Sequence, residues 1–188
     1  MWVADRGFMI KQDLQTAILL LARTPVALDA LLRGLPEVLT HRNEGGETFT
    51  VFDVVGHLIY ADRFDWMPRA RRILEHGENK AFDPFDRRGH VEECRGKSLS
   101  QLLDEFRHVR ACCLDDLRAL NLQPEQLELL GCHPSLGAVT LSNLLATWAA
   151  HDLTHLHQIS RIMAHQYRDE VGPFGAFLGV LKCEGHGG

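Results

Sequence analysis

Two histidines four residues apart are the side chains of this sequence best placed to do chemistry. They lie in the stretch Trp148-Ala149-Ala150-His151-Asp152-Leu153-Thr154-His155-Leu156-His157-Gln158. On a helix His151 and His155 sit one turn apart on one face, and that face also carries Leu144, Trp148 and Ile162. Imidazoles on an apolar stripe need partners, because a buried polar group left without a hydrogen bond costs about 1–3 kcal/mol. A divalent cation satisfies both rings at once, and a His pair at i,i+4 on a helix is a metal-ligand geometry. The competing readings are histidines satisfied within a core and histidines facing water. A third ligand favours the metal, and His57 is the best candidate. It lies among Val54, Ala61 and Phe64, with Gly56 beside it to let another helix approach closely.

Three neutral imidazoles leave a cation at charge +2 with at least one open position, as in catalytic rather than closed structural sites. Such a cation can lower the pKa of a bound water towards about 7, or it can stabilise a thiolate. The first route gives a hydrolase and the second a thiol S-transferase, both acting on a small molecule. A non-catalytic metal- or ligand-binding bundle, serving as a stress-response or interaction module, is the alternative. Several neighbours are candidates for the pocket or for orienting the imidazoles. Asp53 lies one turn before His57 and doubles as a capping residue; Tyr60 is three residues after His57 and can bring a hydroxyl or simply pack. Gln158 is one turn beyond His155, Trp148 walls the pocket or fills the core, and His133 lines the pocket mouth or shapes a turn. Asp152 points about 100° away from His151 round the helix and is a poor partner for it. His41, His76, His90, His108, His165 and His186 read as solvent-exposed, and His157 points away from His155. No residue is assigned as a general base.

The elements that must position these side chains are helices. Residues 11–33 carry Leu14, Ile18, Leu21, Leu28, Leu31 and Leu32 at helical spacing. Thr24-Pro25 inside that run predicts a kink or restart, and Gly34 and Pro36 close it. Residues 37–49 read as a loop. Thr50 with Asp53 three residues on predicts a capped helix start, and that helix runs to about Gly77, bent at Pro68 because the Phe64 carbonyl loses its partner. Residues 78–97 form a long connection, of the kind that crosses between parallel neighbours in a bundle. A third helix opens at Ser98 and runs to about Leu120. Residues 121–140 read as an ordered loop with one short turn. The longest helix covers residues 141–168, and a short one follows between Pro173 and Lys182. Four main helices predict a four-helix bundle.

Bulk properties agree. The chain has 188 residues, 45% of them apolar and 24% charged, which suits one soluble domain without a disulfide framework. A net charge of −5 and no basic block speak against nucleic acid. No apolar run approaches the ~20 residues of a membrane span, and Asp5 and Arg6 interrupt any signal peptide, so a cytoplasmic protein is expected. Met9 is an alternative start, and residues 1–8 and 183–188 are expected to be flexible ends of a single 9–182 domain. The five cysteines form no CxxC pair and read as reduced structural thiols.

The motifs resemble the DinB/YfiT-like superfamily. Gly56-His57-Leu58 with Asp62-Arg63, His133-Pro134-Ser135-Leu136-Gly137, and His151-Asp152-Leu153-Thr154-His155-Leu156-His157-Gln158-Ile159 carry the likeness, which spans about residues 11–168. The resemblance implies a four-helix bundle of up-down-down-up order with a long crossover. It also implies a divalent metal (zinc, nickel or iron) held by His57, His151 and His155, a low-molecular-weight thiol as cosubstrate in some members, hydrolase activity in others, and a homodimer.

Overall fold

The computed structural model of this chain describes residues 14–182; the expected flexible ends, and the question of Met1 or Met9 as the start, lie outside the described residues. The four-helix bundle is present. Helix α1 spans Leu14–Leu32, α2 Val51–Ala61, α3 Met67–His76, α4 Leu99–Ala119 and α5 Leu141–His165, with α2 and α3 forming one broken rod. Capping boxes open three of them where the sequence predicts starts or a loop ends: Thr50 with Asp53, Ser98 with Gln101, and Thr140 with Asn143. Helices α1 and α2 each pack on both α4 and α5. The shared core is filled by the predicted apolar stripes, with Leu21, Leu28, Val54, Leu102, Phe106, Leu141 and Ile162 wholly buried. Helix α1 is long and apolar enough by composition to cross a membrane, contrary to the reading of its sequence. Its core-facing residues Ala17, Ile18, Leu21, Leu28 and Leu32 are instead buried within the bundle.

The restart considered at Pro25 does not occur: α1 runs through the proline as one helix. A helix-interior proline leaves the carbonyl four residues earlier without its donor, and here that carbonyl belongs to Leu21. Arg110, on α4, donates to it at 2.9 Å. The same guanidinium is 1% exposed and grips Asp62 through two hydrogen bonds of 2.7 and 3.0 Å, and Asp152 on α5 at 3.0 Å. Trp148 Nε1 completes the set by donating to Asp62 at 3.1 Å. Burial works against the Arg110 charge, but two carboxylates more than offset it and hold the group protonated.

The bend expected at Pro68 takes a different form. Asp62–Trp66 winds as a π-helical turn immediately before α3, and Pro68 falls in the first turn of α3, where a missing N–H is tolerated. Residues 121–140 also differ from the expected loop. After one turn of helix at Pro124–Leu127 they form an antiparallel hairpin, β1 (Leu130–His133) with β2 (Gly137–Thr140), in the register His133↔Gly137. Four-residue strands containing glycine carry too little alternation to be read as strands. Gly131 is required by packing, since a Cβ there would lie 2.5 Å from Ile73 Cγ1. Phe82 N–H donates to the Cys132 carbonyl at 2.9 Å and so ties the long connection to the hairpin. The C-terminal segment forms 3₁₀ turns at Gly172–Phe177 and Gly179–Leu181.

Replacing Arg110 by Met is expected to lower the unfolding free energy by about 3–5 kcal/mol, because two buried carboxylates lose their counter-charge. Arg71→Ala, which removes the exposed Arg71–Asp116 pair, is expected to cost about 0–1 kcal/mol. Urea denaturation of the two variants checks both values.

Candidate metal centre

His57 projects from α2, and His151 and His155 from one face of α5, as their spacing predicts. The three Nε2 atoms converge: His151 Nε2 lies 3.3 Å from His57 Nε2 and 3.1 Å from His155 Nε2. The candidate ligand atoms all lie within 4.8 Å of one another. A zinc-sized cation bonds nitrogen at about 2.0–2.1 Å, and tetrahedral angles then set neighbouring nitrogens about 3.4 Å apart. The spacing fits.

Protonation fits as well. Burial first, then the neighbouring His155 and His90, push His57 down to about 3; burial, His155 and His57 push His151 down to about 2. Near neutral pH these imidazoles are uncharged, the form a metal requires. His155 Nδ1 meets Gln158 Oε1 at 2.7 Å, which places the ring proton on Nδ1 and aims the Nε2 lone pair at the cluster. The Nδ1 atoms of His57 and His151 are buried without a hydrogen-bond partner among the described residues.

A cavity of about 570 Å³ opens onto the cluster, within the size range of small-molecule sites. Helix α5 supplies His151, His155, Thr154 and Gln158 to it; the π-turn and α3 supply Asp65, Trp66 and Arg69; the connection before α4 supplies Pro84, Phe85 and Arg87; the hairpin turn supplies His133, Pro134 and Ser135. Trp66 meets the His151 ring edge-on at 5.1 Å between centroids. Asp65 is paired with Arg69 at 2.6 Å, and burial pushes its carboxyl up to about 6 against the pull of Arg69.

The other expected residues divide. Gln158 orients His155 and lines the cavity. His133 has both roles considered for it: it lines the cavity, and its Nδ1 accepts from the Ser135 and Leu136 N–H groups that shape the turn. Trp148 is core, wholly buried and stacked on Trp66, so Trp66 rather than Trp148 forms the wall. Tyr60 does not line the cavity; it packs on Phe64 and Phe85, with the Gly89 backbone close against its ring. Asp53 caps α2 through Thr50 and faces His90 at 3.7 Å rather than serving His57.

His90 corrects an expectation. It is 1% exposed, packed against the rings of Phe49 and His57, and with Cys94 Sγ it occupies the space that Gly56 leaves. Its position in a polar connection gave no sign of burial. Asp152, a poor partner for its own helix, points instead to Arg110. Asp65, Trp66, Arg69 and Arg87 were not singled out. In an unbroken helix residue 66 falls nine steps of about 100° from His57, half a turn away, and only the π-turn changes that phase. Cys94 and Cys113 are held as thiols by burial, at about 11 and 12, in line with structural roles.

The model of the DinB superfamily matches residues 20–159 of this chain. Among solved structures, YfiT from Bacillus subtilis is similar at 19% identity, with a TM-score of 0.69 over 90% of this chain and 94% of that one. It is described as a probable metal-dependent hydrolase with an unusual four-helix bundle topology. No curated protein matches this chain in sequence.

Gln158→Leu removes the acceptor for His155 Nδ1 and is expected to weaken metal affinity about 10–100-fold while the fold persists; competition with a chromophoric chelator reads this. The depressed His57 and His151 values also set a pH dependence. Between those values and the ordinary 6.5 the unfolded chain binds more protons than the folded one, so this stability is complete above about 6.5 and is lost as pH falls. The urea midpoint of chelator-treated protein is expected to drop from pH 6.5 to pH 4, less steeply for His57→Phe.

Proposed function

The chain belongs to the DinB superfamily, and from that premise we propose that it is a divalent-metal-dependent enzyme acting on a small molecule, with His57, His151 and His155 as the metal ligands. One observation carries the reading: on the wall of a 570 Å³ cavity, His151 Nε2 lies 3.3 Å from His57 Nε2 and 3.1 Å from His155 Nε2. A divalent cation there supplies Lewis acidity and lowers the pKa of a nucleophile from the cavity, either water or a low-molecular-weight thiol. The likeness to YfiT supports water and hydrolysis; thiol S-transfer is the same site used with a different nucleophile. Nitrogen donors suit zinc or nickel, with iron also compatible.

The chain's own residues do the rest. Gln158 fixes the His155 tautomer, and Trp66 packs the edge of His151 and limits its rotation. Phe85 meets His57 edge-on at 5.7 Å and keeps water from its flank. Asp65, held by Arg69 and with its carboxyl near 6, is the cavity's proton-exchanging group close to neutral pH. We extend the proposal to a cytoplasmic homodimer of single-domain chains with no nucleic-acid or membrane partner. The thiols of Cys94, Cys112, Cys113 and Cys132 are unpaired by disulfides, and Phe174 and Phe177 offer exposed apolar surface for a second copy.

Protein prepared without chelator is expected to hold about one metal ion per chain, and His57→Ala to lose it; elemental analysis of both decides. A panel of hydrolysable esters and amides, and of electrophiles with and without thiols, should give turnover that vanishes in His57→Ala. Stoichiometric metal with no turnover would favour the non-catalytic binding bundle.

A further inference from the structure

The cavity beside the triad has a charge pattern that its metal ligands do not explain. Its lining holds two guanidiniums, Arg69 and Arg87, against one carboxylate, Asp65. The histidines of the lining are neutral or positive and so add no negative charge to set against these groups. The lining is therefore cationic before any metal binds, in a chain whose net charge is −5.

The two arginines come from separate elements and are differently held. Arg69 rises from α3, its Nε 2.6 Å from Asp65 Oδ1 and its guanidinium 5.1 Å above the centre of the Phe82 ring. Its side chain is 13% exposed, so its direction is set before a ligand arrives. Arg87 lies in the connection before α4, which is fastened at its start by Arg72 to Asp83 and by Phe82 to Cys132. Both arginines line the cavity that opens onto the histidine cluster.

Guanidinium groups on a partly dry wall select ligands with oxyanions, because charge-assisted N–H···O bonds gain strength where water is scarce and the planar fork matches carboxylate and phosphate. We propose that the substrate is a small molecule bearing a carboxylate or phosphate, held by Arg69 and Arg87 while its reacting end lies at the histidine cluster. This rests on the metal-site reading above and adds the class of molecule that the site takes.

Cobalt(II)-loaded protein tests it, because thiolate binding to cobalt gives a charge-transfer band. The probes are 3-mercaptopropionate and 3-mercapto-1-propanol, which share a thiol and differ in one carboxylate. Wild type is expected to bind the carboxylate form at least about tenfold more tightly. R87Q, at an exposed position, should cut that preference about threefold or more, leaving 3-mercapto-1-propanol affinity and cobalt content unchanged, and R69K, which keeps a charge for Asp65, should cut the preference as well. Acetate displacing the probe assigns carboxylate, and inorganic phosphate displacing it assigns phosphate. Equal affinity for the two thiols, a preference untouched in both variants, or displacement by neither anion overturns the inference. Failure to take up cobalt stoichiometrically would instead overturn the metal site.

Discussion

One buried guanidinium joins every helix of the bundle. Arg110 stands on α4, takes the Leu21 carbonyl of α1, binds Asp62 at the end of α2 and reaches Asp152 on α5. An ion inside a protein is costly unless geometry and hydrogen bonds repay its desolvation, and here its partners come from three other helices. The helices can approach only in an arrangement that meets all of these demands together. The proline in α1 belongs to the same constraint: the carbonyl it orphans becomes an acceptor that a plain helix would not have offered.

This ionic knot stands directly behind the three-histidine cluster. Asp152 is the neighbour of His151 in sequence, and Asp62 opens the π-turn that delivers Trp66 against the His151 ring. Trp148, one turn before Asp152, hydrogen-bonds to Asp62 and stacks on Trp66. Polar interactions that would be weak at a surface are strong in this dry interior. They fix the relative position of α2 and α5, which is the quantity that decides whether three imidazoles from two helices can share a cation.

The sequence made the helices and the triad readable because both are periodic. His151, His155 and Gln158 follow one another at spacings of four and three, and the capping boxes at Thr50 and Ser98 mark starts that depend only on local chemistry. What resisted reading was what depends on distant partners. Arg110 carries no local mark of its role, since nothing near it in sequence reveals two carboxylates 48 and 42 residues away. His90 gave no sign of burial, because Phe49, Gly56 and His57 bury it only once the connection folds back. The cavity wall was hidden for the same reason: it draws on four separate segments, and the phase of one of them is altered by the π-turn.

That π-turn amounts to one additional residue threaded into a helix. Everything beyond it, including Arg69 and the face of α3 that packs the hairpin through Ile73, is rotated relative to His57 by about a quarter-turn or more. Loss of a single codon between positions 62 and 66 would therefore do what no side-chain exchange can. It would restore an ordinary helical phase, carry the cavity wall away from the imidazoles, and leave every remaining residue of that wall intact but facing elsewhere.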